Sequence, residues 1–74
     1  MFKTLTILLL SFNGEMIMHD IALDPPVDII GCSELADQWR AENTTHFWEI
    51  GGDTSKQGFY LNDASGTMQG HICQ

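Results

Sequence analysis

The chain contains two cysteines, Cys32 and Cys73, and their oxidation is the chemistry that its residues predict most directly. A bond between them would close a loop of about 42 residues, a constraint that the chain-entropy model values at ~4 kcal/mol. A protein of 74 residues has a thin core and gains much from such a constraint. We therefore predict a disulfide between Cys32 and Cys73, with two free thiols as the alternative.

The histidines, taken together with the cysteines, allow a second interpretation, a zinc site. His71 and Cys73 would share one face of a strand, and Cys32 with His19 or His46 would complete a tetrahedral set. The spacing matches no common zinc pattern, however, and the chain has no Cys-x-x-Cys. We therefore expect no metal and no cofactor.

Nucleophilic catalysis by Cys32 is a third hypothesis, because Cys32 lies near the start of a predicted helix and a histidine could serve as its base. Such an enzyme also needs a cleft and an oxyanion site, and 74 residues leave little structure to build them. Asp20, Asp24 and Asp28 recur every four residues, but Pro25-Pro26 prevents them from sharing a helical face. The sequence therefore predicts a protein that is not an enzyme.

Two pairs of adjacent aromatic residues, Phe47-Trp48 and Phe59-Tyr60, lie on predicted strands, where neighbours point to opposite faces. If a helix covers one face, one ring of each pair must look outward and could contact a partner. The alternative is that each outward ring packs on a neighbour across the strands. Two methionines and two helix acids extend the candidate partner surface. Its predicted members are Met16, Met18, Phe47, Trp48, Phe59, Tyr60, Glu34 and Asp37.

The net charge of −7 is concentrated in the middle of the chain. Over residues 24–53, seven carboxylates against Arg40 leave a net charge of −6. Affinity for nucleic acids comes from Lys and Arg that displace counterions from phosphates, so we expect no direct nucleic-acid binding. A basic surface on a protein would instead attract this segment.

The elements that must position these residues begin with a hairpin. Residues 2–12 are apolar at both alternating sets of positions, which predicts a central strand covered on both faces. Asn13-Gly14 predicts a type I′ turn, residues 15–23 the returning strand, and Asp24-Pro25-Pro26 its end. The first strand resembles a signal peptide, but it lacks a cleavage site and is too short to cross a bilayer, so we predict no membrane span.

One amphipathic helix is predicted over residues 32–43, with Ser33 as its N-cap and acids near its start. Its apolar stripe is predicted to be Cys32, Leu35, Ala36 and Trp39. Strands are predicted at 45–50 and 58–62, with a loop at 51–56 between them. A type I turn at 63–66, closed by a left-handed Gly66, then leads to a last strand at 67–73.

These elements predict one α+β domain with a largely antiparallel sheet and the helix packed on one face. Their order is ββαβββ, or ββαββ if 45–50 is irregular. The predicted organisation of residues 1–74 is an N-terminal hairpin at 2–23, a crossover at 24–31, a helix at 32–43 and C-terminal hairpin strands at 45–73.

With no catalytic motif, the sequence predicts a small protein that binds a protein partner or assembles with itself. The first hypothesis is a structural accessory, such as a decoration or cement component of a virus particle. A disulfide without an export signal would fit a protein that is assembled in a cytosol and later exposed outside it. The alternatives are an acidic phage-type inhibitor that docks on a basic groove of a nucleic-acid enzyme, and a secreted or periplasmic binding domain stabilised by its disulfide.

Overall fold

The computed structural model describes residues 1–50 and 53–74, with side chains over 1–45 and 58–74. Five strands form one antiparallel sheet in the order β2-β1-β5-β4-β3, and one helix packs against it. The α+β class and the order ββαβββ are therefore confirmed. The elements are β1 (Phe2–Ser11), β2 (Met16–Val27), α1 (Ile29–Asn43), β3 (Thr44–Ile50), β4 (Asp53–Leu61) and β5 (Gly66–Cys73).

The hairpin between β1 and β2 forms where it is predicted, with a different turn. The Ser11 N–H donates to the Glu15 carbonyl oxygen over 2.9 Å, and the Gly14 N–H donates to that of Ser11 over 3.0 Å. Gly14 has a φ of 89°, whereas Asn13 is not among the residues with a positive φ. The prediction of a type I′ turn is wrong, because the Ser11–Glu15 hydrogen bond encloses three residues, 12–14, and only the glycine among them lies in the left-handed region.

The prediction that β2 stops at Asp24 is also wrong, because the strand runs on through both prolines to Val27. β2 is an edge strand, so a proline that lacks an N–H toward the unpaired edge removes no hydrogen bond to a neighbouring strand. A register irregularity between Phe2 and Thr4 of β1 accommodates the extra residues, and Val27 pairs with Phe2. Most of the predicted crossover at 24–31 is therefore strand and helix.

The helix begins earlier than predicted, and Ser33 is not its cap. Asp28 is the N-cap, and its side chain accepts a hydrogen bond from the Gly31 N–H over 2.8 Å. Asp caps a helix as well as Ser does, and this one lies before Ile29 rather than inside the helix. The predicted end at Asn43 is confirmed, because the backbone N–H and the hydroxyl of Thr44 both donate to the Arg40 carbonyl oxygen.

The core lies between α1 and the middle of the sheet. Cys32 and Cys73 form a disulfide between α1 and β5, as predicted, with Cα atoms 6.3 Å apart. β5 contains an irregularity that places Met68 opposite Leu9 and Cys73 opposite Leu5. Leu9 and Leu5 are four residues apart in β1, so the five-residue spacing in β5 needs one extra residue to keep both side chains on one face. The buried apolar residues are Leu5, Ile7, Leu23, Cys32, Ala36 and Met68.

The C-terminal strands are longer than predicted. β4 begins at Asp53 because it pairs with β3, so the predicted loop at 51–56 is mostly strand, while residues 51–52 lie outside the described part. In the following turn the left-handed residue is Ala64, with a φ of 60°, and not Gly66 as predicted. Gly66 serves a different purpose, because a Cβ there would stand 2.8 Å from the Ser11 Cα of β1. The absence of a side chain at Gly66 lets β5 approach β1.

Candidate functional site

The two faces of the sheet have different surroundings. Core residues of β1 face α1, and the alternate residues of the same strand face away from it. Register pairs Leu8 with Met18, Leu10 with Met16 and Thr6 with Ile72, which places all six on the side opposite the helix. We call the apolar part of this side the outer face. Its described members are Leu8, Leu10, Phe12, Met16, Met18, Tyr60 and Ile72.

The outer face is accessible to solvent over large apolar side chains. Exposure reaches 65% for Met18, 64% for Phe12 and 54% for Met16, and it is 42% for Tyr60 and 39% for Ile72. Leu8 and Leu10 are half-buried between these neighbours. The prediction that β1 is covered on both faces therefore fails on this side, where only adjacent side chains shield the strand among the residues whose side chains are described.

An aromatic pair and a depression mark one end of the outer face. The rings of Phe12 and Tyr60 lie with their centroids 6.4 Å apart, so the hairpin loop reaches across to β4. Beside them is an open depression of about 450 Å³, lined in part by Leu10, Thr67 and Gln69. The Gln69 side-chain amide donates to the Thr67 hydroxyl over 2.7 Å. Apolar and polar side chains thus both line the depression.

Charge is sparse on this side of the sheet. Asp20 is the charged residue that the β1–β2 register places there among the described side chains, and it accepts a hydrogen bond from the Thr6 hydroxyl over 2.7 Å. Thr6 itself is buried, so the pair satisfies a polar group within the sheet. Depletion of charge with enrichment of Met and aromatic side chains is typical of the centre of a protein interface.

Phe59 lies on the helix side, not on the outer face. It pairs with Met68 of the core, and the Arg40 guanidinium carbon lies 4.8 Å from its ring centroid. Arg40 also approaches the Asp37 carboxylate at 3.6 Å. The ring therefore belongs to the packing between α1 and β4, with its positive neighbour over its face.

The predicted partner surface divides into separate parts. Met16, Met18 and Tyr60 lie on the outer face, whereas Glu34 and Asp37 are exposed on α1, on the other side of the sheet. The side chains of Phe47 and Trp48 lie outside the described residues.

Several outer-face residues were not predicted. The sequence pattern predicts Phe12 in a strand, whereas it lies in the hairpin loop with its ring next to that of Tyr60. Leu8 and Leu10 were expected to be covered. Ile72 could have been found, because it precedes Cys73 in a strand and therefore points away from the disulfide.

The residues considered for a zinc site or a catalytic cysteine do not come together in the described part of the chain. Both cysteines are in the disulfide, so neither sulfur is a thiolate ligand or nucleophile. His19 lies with its ring centroid 6.0 Å from that of Trp39, and His71 is exposed. No group of three or more His, Cys, Asp or Glu side chains that could hold a metal ion occurs among the described residues.

The turn between β4 and β5 has a local electrostatic role. The Ser65 hydroxyl and backbone N–H both donate to the Asp63 carboxylate, over 2.6 and 3.0 Å. These hydrogen bonds, the one from the hydroxyl first, lower the pKa of Asp63 from its ordinary value. The carboxylate thereby stabilises a turn.

Within the described residues, the helix is too short and too polar to cross a membrane. Comparisons with protein-family models, with curated proteins and with solved structures find no match. A functional hypothesis for this chain must therefore come from its own geometry.

Proposed function

We propose that this chain is a small non-catalytic protein that binds another protein through its outer face, as a structural accessory of a larger assembly such as a virus particle. The observation that carries the proposal is the exposure of five large apolar side chains on one side of the sheet, which the helix leaves uncovered. Soluble monomers rarely expose a large contiguous apolar patch without a binding role.

The composition of the outer face supports a protein as the partner. Met18 and Met16 have flexible side chains that adapt to an opposing surface, and Phe12 with Tyr60 supplies rigid rings. Asp20 is the charged group that the β1–β2 register places there among the described side chains, and it is already hydrogen-bonded to Thr6, so it keeps a partner when the face is docked.

The disulfide supports exposure of the finished assembly to an oxidising environment. Cys32 is completely buried and bonded to Cys73, which ties the helix to the sheet. Disulfides of this structural kind persist outside reducing compartments. A particle that leaves the cell in which it was built would meet that condition.

Two matched double variants test the proposal. Met16→Lys with Met18→Lys places two charges on the outer face, and Ile29→Lys with Ile30→Lys places two on the first turn of α1. The replaced side chains are equally exposed, at 54% and 65% in one pair and 54% and 66% in the other. Each tagged variant, first checked for cooperative unfolding, is expressed in the native source and followed by cross-linking and particle sedimentation.

The expected result is that the methionine variant loses its cross-linked partner and its sedimentation with particles, while the isoleucine variant keeps both. Loss in both variants, or only in the isoleucine variant, would contradict docking through the outer face. A partner retained on a soluble protein, with no particle association, would overturn the assembly role and favour a secreted or periplasmic binding domain.

A second candidate function, an acidic inhibitor of a nucleic-acid enzyme, draws on the other side of the molecule. Glu34 and Asp37 are both exposed on α1, and Arg40 is the cation beside them. Such a surface could occupy a basic groove. Glu34→Gln with Asp37→Asn should then abolish a salt-sensitive complex that the Met16 and Met18 substitutions leave intact. Equal binding by the charge-neutralised variant would rule this function out.

A further inference from the structure

The helix leaves part of its own side of the sheet uncovered. Five strands spaced ~4.8 Å apart make a sheet on the order of 20 Å wide, and one helix about 10 Å across covers about half of it. The disulfide ties α1 to β5, and buried Ala36 packs in the core cluster with Ile7 of β1. The edge strand β2 therefore lies beside the helix and not beneath it.

A groove of about 420 Å³ runs between α1 and β2, and we call it the α1–β2 groove. One helical face lines it, with residues at the i, i+3, i+4 and i+7 positions. These residues are Leu35, Gln38, Trp39 and Glu42. Ile21 and Leu23 of β2 form the opposite wall. The helix thus presents two adjacent faces, one to the core and one to the groove.

The walls of the groove are apolar and partly accessible. Leu35 is 37% exposed, although it belongs to the apolar stripe of the helix, and Trp39 and Ile21 are half-buried. The Trp39 ring centroid lies 6.0 Å from that of His19. An apolar side chain placed here would bury surface that now faces water.

The rims of the groove are acidic. Two acids are among the lining residues, Asp24 from β2 and Glu42 from α1, and the described lining includes no Lys or Arg. The Gln38 side-chain amide donates to the Glu42 carboxylate over 3.1 Å, which fixes one carboxylate along the rim. Because an acid lies on each side of an apolar floor, the groove is complementary to an apolar stripe flanked by positive charges.

We propose that the α1–β2 groove binds an amphipathic helix of a partner protein, with an apolar stripe flanked by Lys or Arg. From Leu35 to Glu42 the groove follows about 10 Å of α1, the length of two helical turns. Its walls are side chains on the helix side of the sheet, and a helix binds to such walls through side chains at i, i+3, i+4 and i+7. This site lies on the opposite side of the sheet from the outer face and is independent of the function proposed above.

Three synthetic peptides serve as probes, each about four turns long, or about 14 residues. The first repeats Leu and Lys in an amphipathic helical pattern, the second has Glu in place of Lys, and the third scrambles the first. Fluorescence anisotropy of labelled peptide is measured at low and high salt with the full, oxidised chain. Only the first peptide should bind, and salt should weaken it because the rim charges are screened.

Leu35→Gln and Met18→Gln are the matched variants, since one replaces an apolar side chain of the groove and the other an apolar side chain of the outer face. We expect Leu35→Gln to weaken binding about tenfold and Met18→Gln to change it less than about twofold. Asp24→Asn with Glu42→Gln should weaken binding and flatten its salt dependence. Isotope-labelled chain should show methyl shifts at Ile21 and none at Ile72, a readout that needs no variant.

Equal effects of the two glutamine substitutions, or shifts at Ile72 instead of Ile21, would overturn the proposal. Equal binding of the Glu peptide would refute charge complementarity, and equal binding of the scrambled peptide would refute a helical ligand. If Leu35→Gln instead dissociates a dimer of this chain in sedimentation, the occupant is a second copy and the proposal fails. The function proposed for the outer face survives each of these outcomes.

Discussion

The two faces of one sheet differ in what covers them, although both are built from apolar residues. Ile7 of β1 is completely buried beneath α1, whereas Ile72 of β5, on the other face, is 39% exposed. Composition does not separate them, because leucine, isoleucine and methionine occur on both. The difference arises because the single helix is bonded to one face by Cys32 and Cys73. One face therefore supplies stability, and the other remains accessible.

The largest expected effect comes from breaking the covered face. Cys32→Ala with Cys73→Ala removes the disulfide without burying a hydroxyl, and it should lower the free energy of unfolding by ~4 kcal/mol, because the unfolded chain gains entropy. Urea denaturation measures the change. Reductant should shift the midpoint of the natural protein and leave that of the variant unchanged. Identical midpoints for the two proteins would show that the bond does not hold the helix.

A matched pair of isoleucines compares the faces directly. Ile7→Ala should cost about 3 kcal/mol of unfolding free energy, because it leaves a cavity in the core. Ile72→Ala should cost less than about 1 kcal/mol, because its side chain is already partly in water. Urea denaturation of both variants gives the difference. Equal costs would mean that the outer face is packed as tightly as the core.

Two glycines of β5 sharpen the comparison further. A Cβ at Gly66 would meet the backbone of Leu10 and Ser11, so Gly66→Ala should cost about 1–3 kcal/mol. A Cβ at Gly70 would meet nothing within 4 Å, and register with Leu8 places it on the outer face. Gly70→Ala should therefore change stability by less than about 0.5 kcal/mol in thermal unfolding. A large cost at Gly70 would indicate that something covers that face.

The smallest expected effect concerns a turn that belongs to neither face. Ser65→Ala should raise the pKa of Asp63 toward its ordinary value, because the hydroxyl that stabilises the carboxylate is lost. The lowered pKa contributes stability above the unfolded pKa of Asp63, and this is lost as pH falls through the folded pKa. An NMR titration measures the shift, with Ser33→Ala as the control. An unchanged Asp63 titration in Ser65→Ala would contradict the assigned cause.

Much of the fold could be predicted from local patterns. The hairpin follows from its turn residues, and the apolar stripe around Cys32 follows from helical spacing. The disulfide follows because the chain has two cysteines, which can pair in one way. Two details of the turns could not be predicted from the sequence: the turn type at Asn13-Gly14, and the choice of Ala64 instead of Gly66 as the left-handed residue. The same glycine is compatible with several loop lengths. The N-cap was missed because Asp28 and Ser33 are both good caps, and only packing of the preceding strand selects one.

The outer face was only partly predictable. Met16 and Met18 follow from strand alternation, and Tyr60 follows from its opposition to Phe59. The extent of the face depends on how much of the sheet one helix covers, which is a tertiary property. The α1–β2 groove does not follow from the sequence either. Helical spacing places Leu35 on the apolar stripe and so predicts that it is buried, but the spacing does not tell whether a strand lies beneath that part of the helix.

Oxidation of the methionines tests the central claim most directly. Met16 and Met18 are exposed on the outer face, whereas Met68 is 5% exposed in the core. Limited peroxide treatment of the folded, isolated protein, followed by peptide mass spectrometry, reports the rate at each sulfur. We predict rapid oxidation of Met16 and Met18 and strong protection of Met68. Equal protection of all three would contradict the account, because the outer face would then be covered in the protein alone.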